Sequence, residues 1–157
     1  MSTGDTDLLE EPRKVVADDS SRIEKLQQIA ALIRNSGGYR WVGLYDVDRQ
    51  VGEVVNLAWD GPGAPEYPRF TIGKGLTGSA IQERKLVNVG DVVSDPRYLT
   101  ALGSTRSEII VPIFDSERDK VDGTIDVESG HPNAFDENTE SLLIDCADAI
   151  APLWAAS

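Results

Sequence analysis

Two pairs of β-branched and aromatic segments, each pair joined by a short polar turn, constrain this chain more than any other feature. Tyr39 to Asp46 and Val51 to Trp59 flank a turn through Asp48, Arg49 and Gln50, while Ser107 to Phe114 and Val121 to Ser129 flank the turn DSERDK. Such segments read as hairpins, and a chain built on hairpins forms a mainly antiparallel sheet. Between the two pairs lies Asp60 to Pro68, where closely spaced Pro and Gly forbid helix and central strand alike. A short helix in LTGSAIQER, a short strand in KLVNV and a long connection from Gly90 to about Thr105 complete the middle of the chain.

Helices bracket these strands. Ser21 and Glu24 have the spacing of a capping box, and Leu26, Ile29, Ala30 and Ile33 recur at helical steps until Gly37 and Gly38 stop the run. Near the end, Asp136 opens a second amphipathic helix over 137–154, with Leu143, Cys146, Ile150 and Leu153 on one stripe. Residues 1–18 mix Gly, Asp, Glu, Pro and Lys without periodicity and read as a flexible lead-in to a single domain over 19–157. The order α-β-β-α-β-β-β-α describes an α+β layered domain with its terminal helices packed on one sheet face.

At 157 residues the chain has the size of one ordinary domain. Its 27 acidic and 15 basic side chains give a net charge of -12, which repels nucleic-acid phosphates and anionic membranes, so neither is an expected partner. No stretch approaches a membrane span and no secretory leader is visible, so a cytoplasmic protein is expected. The single cysteine, Cys146, excludes an internal disulfide, a CxxC redox pair and a cysteine zinc site; on the apolar stripe it reads as a buried, inert thiol. His131 follows Gly130 in a turn and has no sequence partner for a metal site.

GKGLTG places Gly73, Gly75 and Gly78 in the GxGxxG spacing of dinucleotide-binding loops. That motif works in a parallel βαβ unit with a long buried strand, whereas here a short segment feeds a helix of about two turns. The glycines therefore read as a tight turn into a helix, and the amides opening that helix favour an anionic group placed above them.

The segments GKGLTGSAI, VNVGDVVSDPRYLTALGSTRSEIIVPI, VDGTIDVES and NAFDENTESLL, in that order, resemble the GAF domain family, and more narrowly its free methionine-R-sulfoxide reductase branch. The resemblance implies an antiparallel sheet of about six strands, a pocket under the loops on one face, and a homodimer formed through the terminal helices. Enzymes of that branch reduce free methionine sulfoxide with pocket cysteines, and those positions fall here on Tyr67, Thr77 and Ala101. A threonine hydroxyl can neither ionise near neutral pH nor form a disulfide, so the redox cycle has no carrier. GAF domains that hold bilins or haem need an attaching cysteine or an axial histidine in the pocket, and no cofactor is expected here.

Family binding groups remain at Glu108, Asp126 and Glu128. Strand alternation puts Asp126 and Glu128 on one face with Thr124, and hairpin pairing brings Glu108 roughly opposite. Spacing alone is equally satisfied by three acids on a solvated sheet face. Trp59 and Tyr98, beside the loops, join Thr77 and Ser107 as candidate ligand contacts, whereas Trp41 and Tyr45 read as sheet packing. The function expected is that of a stand-alone GAF domain that binds an amino-acid-like or other small metabolite and signals to a protein partner. A diverged reductase-like enzyme and a structural dimerisation module are the alternatives.

Overall fold

The computed structural model describes residues 3–98 and 103–155. Its elements are α1 (Thr3–Ala17), α2 (Arg22–Gly37), β1 (Trp41–Asp48), β2 (Glu53–Asp60), β3 (Arg69–Thr71), α3 (Gly75–Glu83), β4 (Val87–Val89), a 3-10 turn (Val92–Ser94), β5 (Ser107–Phe114), β6 (Val121–Ser129), α4 (Glu137–Ile150) and α5 (Pro152–Ala155). Both expected hairpins form, β1–β2 and β5–β6, and β1 also pairs with β6, so the two hairpins join in one antiparallel sheet of order β3-β2-β1-β6-β5-β4. The three-residue edge strand β3, paired with β2, is the sixth strand that the residue pattern had not marked. Three residues beside a proline are too few to show alternation.

Side chains at alternate positions send Val42 and Leu44 of β1, Ile109, Val111 and Ile113 of β5, and Ile125 and Val127 of β6 into one core with α2 and α4. The α2 boundaries follow their signals: the Ser21 hydroxyl accepts from the Glu24 N–H at 3.2 Å, and Gly38 ends the helix in the left-handed conformation at φ 61°. The last helix does not run unbroken over 137–154. It stops at Ile150 and restarts at Pro152, where the proline ring has no N–H to continue the ladder.

The first segment is not a flexible lead-in. Thr3–Ala17 form α1, and Leu8, Pro12 and Val15, at steps of four and three residues, are buried where α1 lies across α2 and α4. Among the described side chains, two buried aliphatic residues, Leu8 and Val15, and an interior proline carry this helix, so packing decides what propensity does not. The stripes Leu26–Ile33 and Leu143–Leu153 are buried within the chain, while Ile23 and Ile144 on the same two helices stay exposed. No helix among the described residues is long and apolar enough to cross a membrane.

One contact ties the chain end to the sheet centre. The Trp154 indole N–H donates to the Tyr45 carbonyl at 3.2 Å, and the ring lies over Gly123 so closely that an added Cβ would sit 2.2 Å from the indole nitrogen and 2.6 Å from that carbonyl oxygen. Gly123→Ala is therefore expected to destabilise the fold by about 1–3 kcal/mol, the cost of overpacking a filled core. Urea unfolding measures it, and an unchanged midpoint would refute the close approach.

Candidate functional site

The opposite sheet face carries the chemistry. On β6, Thr124, Asp126 and Glu128 point away from α2 and α4, and β5 sets Glu108 directly across from Glu128. On the other side β1 places Trp41 opposite Glu128 and the side-chain-free Gly43 opposite Asp126. The Trp41 and Tyr45 rings close over Gly43, within 2.4 and 2.9 Å of where its Cβ would lie. Both rings and both flanking strands thus wall the acids off from water.

The three acids are 3%, 5% and 0% exposed for Glu108, Asp126 and Glu128, with one carboxylate oxygen of each lying within 4.8 Å of the others. A solvated face is excluded by that burial. Loss of water, followed by the Asp126 charge, pushes the Glu128 carboxyl up to about 9 even though the Thr105 hydroxyl donates to it at 2.6 Å. Burial raises Asp126 to about 6. Glu108 is held well above the usual carboxylate range by burial and then by Asp126, with which it shares a hydrogen bond that needs a proton between the two carboxyls. Tyr45 is pushed up in turn by burial and by all three acids.

A second element meets them from above. Gly73 and Gly75 take left-handed φ of 100° and 70°, and a Cβ on Gly78 would lie 2.3 Å from the Gly73 carbonyl carbon. The glycine pattern is therefore a turn packed against its own helix, fed by an antiparallel edge strand and not by a dinucleotide-binding unit. Gly78 closes the first α3 bond onto Lys74, so the N–H groups of Gly75, Leu76 and Thr77 have no partner within the helix. These three residues line one cavity of about 30 Å³ together with Glu108 and Asp126. Pro65 and Tyr67 of the loop, with Tyr45 and Phe70, form the remaining wall.

Thr77, Glu108 and Asp126 thus meet at the cavity as the sequence suggested, and Glu128 stands behind them in the cluster. Tyr98 lies behind Glu128, to which its hydroxyl is hydrogen-bonded, and is not in the cavity lining. Two expectations fail. Ser107 faces the other side of β5, where its hydroxyl donates to the His131 carbonyl at 2.6 Å and accepts from the Ala134 N–H at 3.3 Å. Trp59, 36% exposed, is out on β2 beyond Gly43 and does not reach the cavity.

Tyr45, by contrast, lines the cavity although it had read as sheet packing. Its place opposite Thr124, on the face of the acids, is the signal that marks it. Tyr67 and Thr77, which the sequence resemblance sets at reductase cysteine positions, both stand at the cavity, whereas Ala101 lies outside the described residues. Cys146 is fully buried in the helix-side core, its thiol pushed up to about 12 by burial.

Raised carboxyls bind protons more tightly in the folded chain than in the unfolded one, so their contribution is complete below pH about 4 and is lost as pH climbs through about 6 and about 9. The midpoint of thermal unfolding is expected to fall by on the order of 5 °C between pH 5.5 and 9, and to fall less in Asp126→Asn. Calorimetry across that range checks it; a midpoint rising with pH would contradict the cluster.

The family model for the GAF domain matches residues 21–152 of this chain. "GAF domain-containing protein A" of Dictyostelium discoideum is 30% identical over 136 residues, 87% of this chain and 83% of that protein. Among solved structures, the free methionine-R-sulfoxide reductase of Neisseria meningitidis, seen with its substrate, superposes with a TM-score of 0.87 at 32% identity, covering 98% of this chain and 89% of that one. The type II enzyme of Thermoplasma acidophilum gives 0.78 at 30% identity, covering 96% of each chain. With its six-stranded antiparallel sheet, its glycine turn and a family match over most of its length, the chain belongs to the GAF domain family.

Proposed function

We propose that this GAF domain binds a small zwitterion of the amino-acid class in the cavity between β6 and α3, and that its role is regulatory and not catalytic. One observation carries the reading. Carboxylates of Glu108 and Asp126 and the unpaired amides that open α3 line the same narrow space, so one wall calls for a cation and the other for an anion. A molecule with an ammonium and a carboxylate a few ångströms apart answers both.

The likeness to methionine sulfoxide reductases supports an amino-acid ligand, while the groups at the cavity argue against their chemistry. A phenol at Tyr67 and a hydroxyl at Thr77 cannot attack a sulfoxide sulfur as a thiolate does, and Cys146 lies on the far side of the sheet. The cavity of about 30 Å³ holds little more than water, far below the roughly 300 Å³ at which small-molecule pockets begin. Entry of a ligand therefore requires the loop carrying Tyr67, itself 44% exposed, to move outward.

Calorimetric titration with free amino acids, methionine and its sulfoxide among them, tests the proposal against their N-acetyl and amide derivatives. Zwitterions are expected to bind, and loss of either charge to abolish binding. Asp126→Asn is expected to weaken the zwitterion by about 1.5–3 kcal/mol, the scale of a charge-assisted hydrogen bond. Equal binding of the N-acetyl derivative would overturn the assignment of the acids. In a separate assay, thioredoxin-coupled turnover of free methionine sulfoxide is expected to stay at the level of heat-killed protein, and turnover above it would restore a catalytic reading.

A further inference from the structure

Among the described residues, five buried side-chain nitrogen or oxygen atoms lack a hydrogen-bond partner, and four of them are oxygens of one patch: Glu108 Oε1, Thr124 Oγ1, Asp126 Oδ1 and Glu128 Oε2. A buried oxygen without a partner forfeits its hydration outright, and chains rarely carry several together unless something occupies the spot. Thr124 is the independent member. It carries no charge, it is fully buried, and its hydroxyl projects from the same face of β6 one pleat before Asp126. Electrostatics do not explain why that oxygen too should go unpaired beside the acids.

The donor set and its spread define what fits. Every donor is an oxygen; the single histidine is exposed on a turn and the single cysteine is in the opposite core, so soft and borderline metals find no preferred ligand. Oxygen atoms on opposite sides of a calcium ion lie about 4.6–5.2 Å apart, whereas around magnesium they lie about 4.0–4.2 Å apart. One carboxylate oxygen of each of Glu108, Asp126 and Glu128 lies within 4.8 Å of the others, inside the span of a calcium ion's ligand sphere, and the narrow, walled-in position leaves little room for the waters that magnesium keeps. Two positive charges on one centre also offset more of the repulsion among three carboxylates than one ammonium does.

We propose that Glu108, Asp126 and Glu128, with the Thr124 hydroxyl, form a binding site for a divalent cation of calcium size. This goes beyond the amino-acid reading and does not rest on it, although ion and ammonium compete for the same oxygens. Glu108 and Asp126 border the cavity and give the ion its way in. Trp41, paired with Glu128, and Tyr45, paired with Thr124, flank the site as built-in reporters.

Terbium, a luminescent stand-in for calcium, tests it on the full chain stripped with EDTA, with excitation of the aromatic side chains. Sensitised terbium emission is expected to rise to saturation and to be displaced by calcium at about 1 mM or below, with magnesium at least about tenfold weaker. Asp126→Asn and, as a second variant, Glu128→Gln should each weaken terbium at least about tenfold while retaining the near-ultraviolet dichroism of the folded chain, and the exposed-site control Glu117→Gln should bind as the parent does. Absence of sensitised emission, emission unchanged in both folded variants, or displacement by magnesium as effective as by calcium would overturn the site. Titration of amino acids in EDTA reads the zwitterion separately, so either proposal can fail while the other stands.

Discussion

Everything distinctive in this molecule follows from the covering of β6 on both faces. Strand order places it between β1 and β5, so its backbone is hydrogen-bonded on both edges, and eight of its nine residues are buried. The helix face accepts this at no cost, since Ile125 and Val127 belong in an apolar core. On the other face the same geometry buries Thr124, Asp126 and Glu128, and β5 adds Glu108. Burying three carboxyls so close together opposes folding, because each must shed water or keep its proton. Perturbed carboxyls of this kind cluster at functional sites, and that is what marks this face as the candidate site.

The sheet also explains why α3 sits where it does. A helix preceded by two left-handed glycines turns sharply, and the contact of Gly78 with the Gly73 backbone leaves no freedom in the angle at which α3 leaves the turn. Leu76 and Ala80 then pack on Ile110 and Val87, which aims the helix start at Asp126 and Glu108. Positive and negative poles are set by two rigid elements locked to one another through apolar contacts, so their separation is fixed before any ligand arrives.

Much of this was legible in the residues. Alternation in YRWVGLYD and VDGTIDVES, the Ser21 cap and the Gly38 stop act over a few positions, and they produced the elements where they predicted them. What stayed hidden is decided by distant partners. The helix over Thr3–Ala17 exists because α2 and α4 offer it a groove, and β3 exists because β2 has a free edge. Ser107 and Glu108 are neighbours in sequence with equal claims to polarity, yet the pleat sends one to the turn at His131 and the other to the cavity. Which way the pleat falls depends on the pairing register with β6. Trp59, paired with Gly43, shares the face of the acids but stands one strand too far out to reach the cavity, and that distance is decided by strand order.

The third wall of the cavity differs from the other two in how it is held. Pro65 and Tyr67 belong to a loop fastened at its ends, by the Trp41 indole donating to the Gly63 carbonyl at 3.0 Å and by the Asn56 N–H donating to the Pro68 carbonyl at 2.8 Å. Between those fixed points no backbone–backbone hydrogen bond among the described residues ties residues 64–67 to the sheet, and Tyr67 is half in solvent. In the proposed zwitterion site, charge selection therefore resides in the two packed walls and size selection in the loop. Exchange of the residue at the position of Tyr67 would then change which side chain the proposed zwitterion site admits without disturbing the two poles proposed to hold its charges, because the loop carries no share of their positioning.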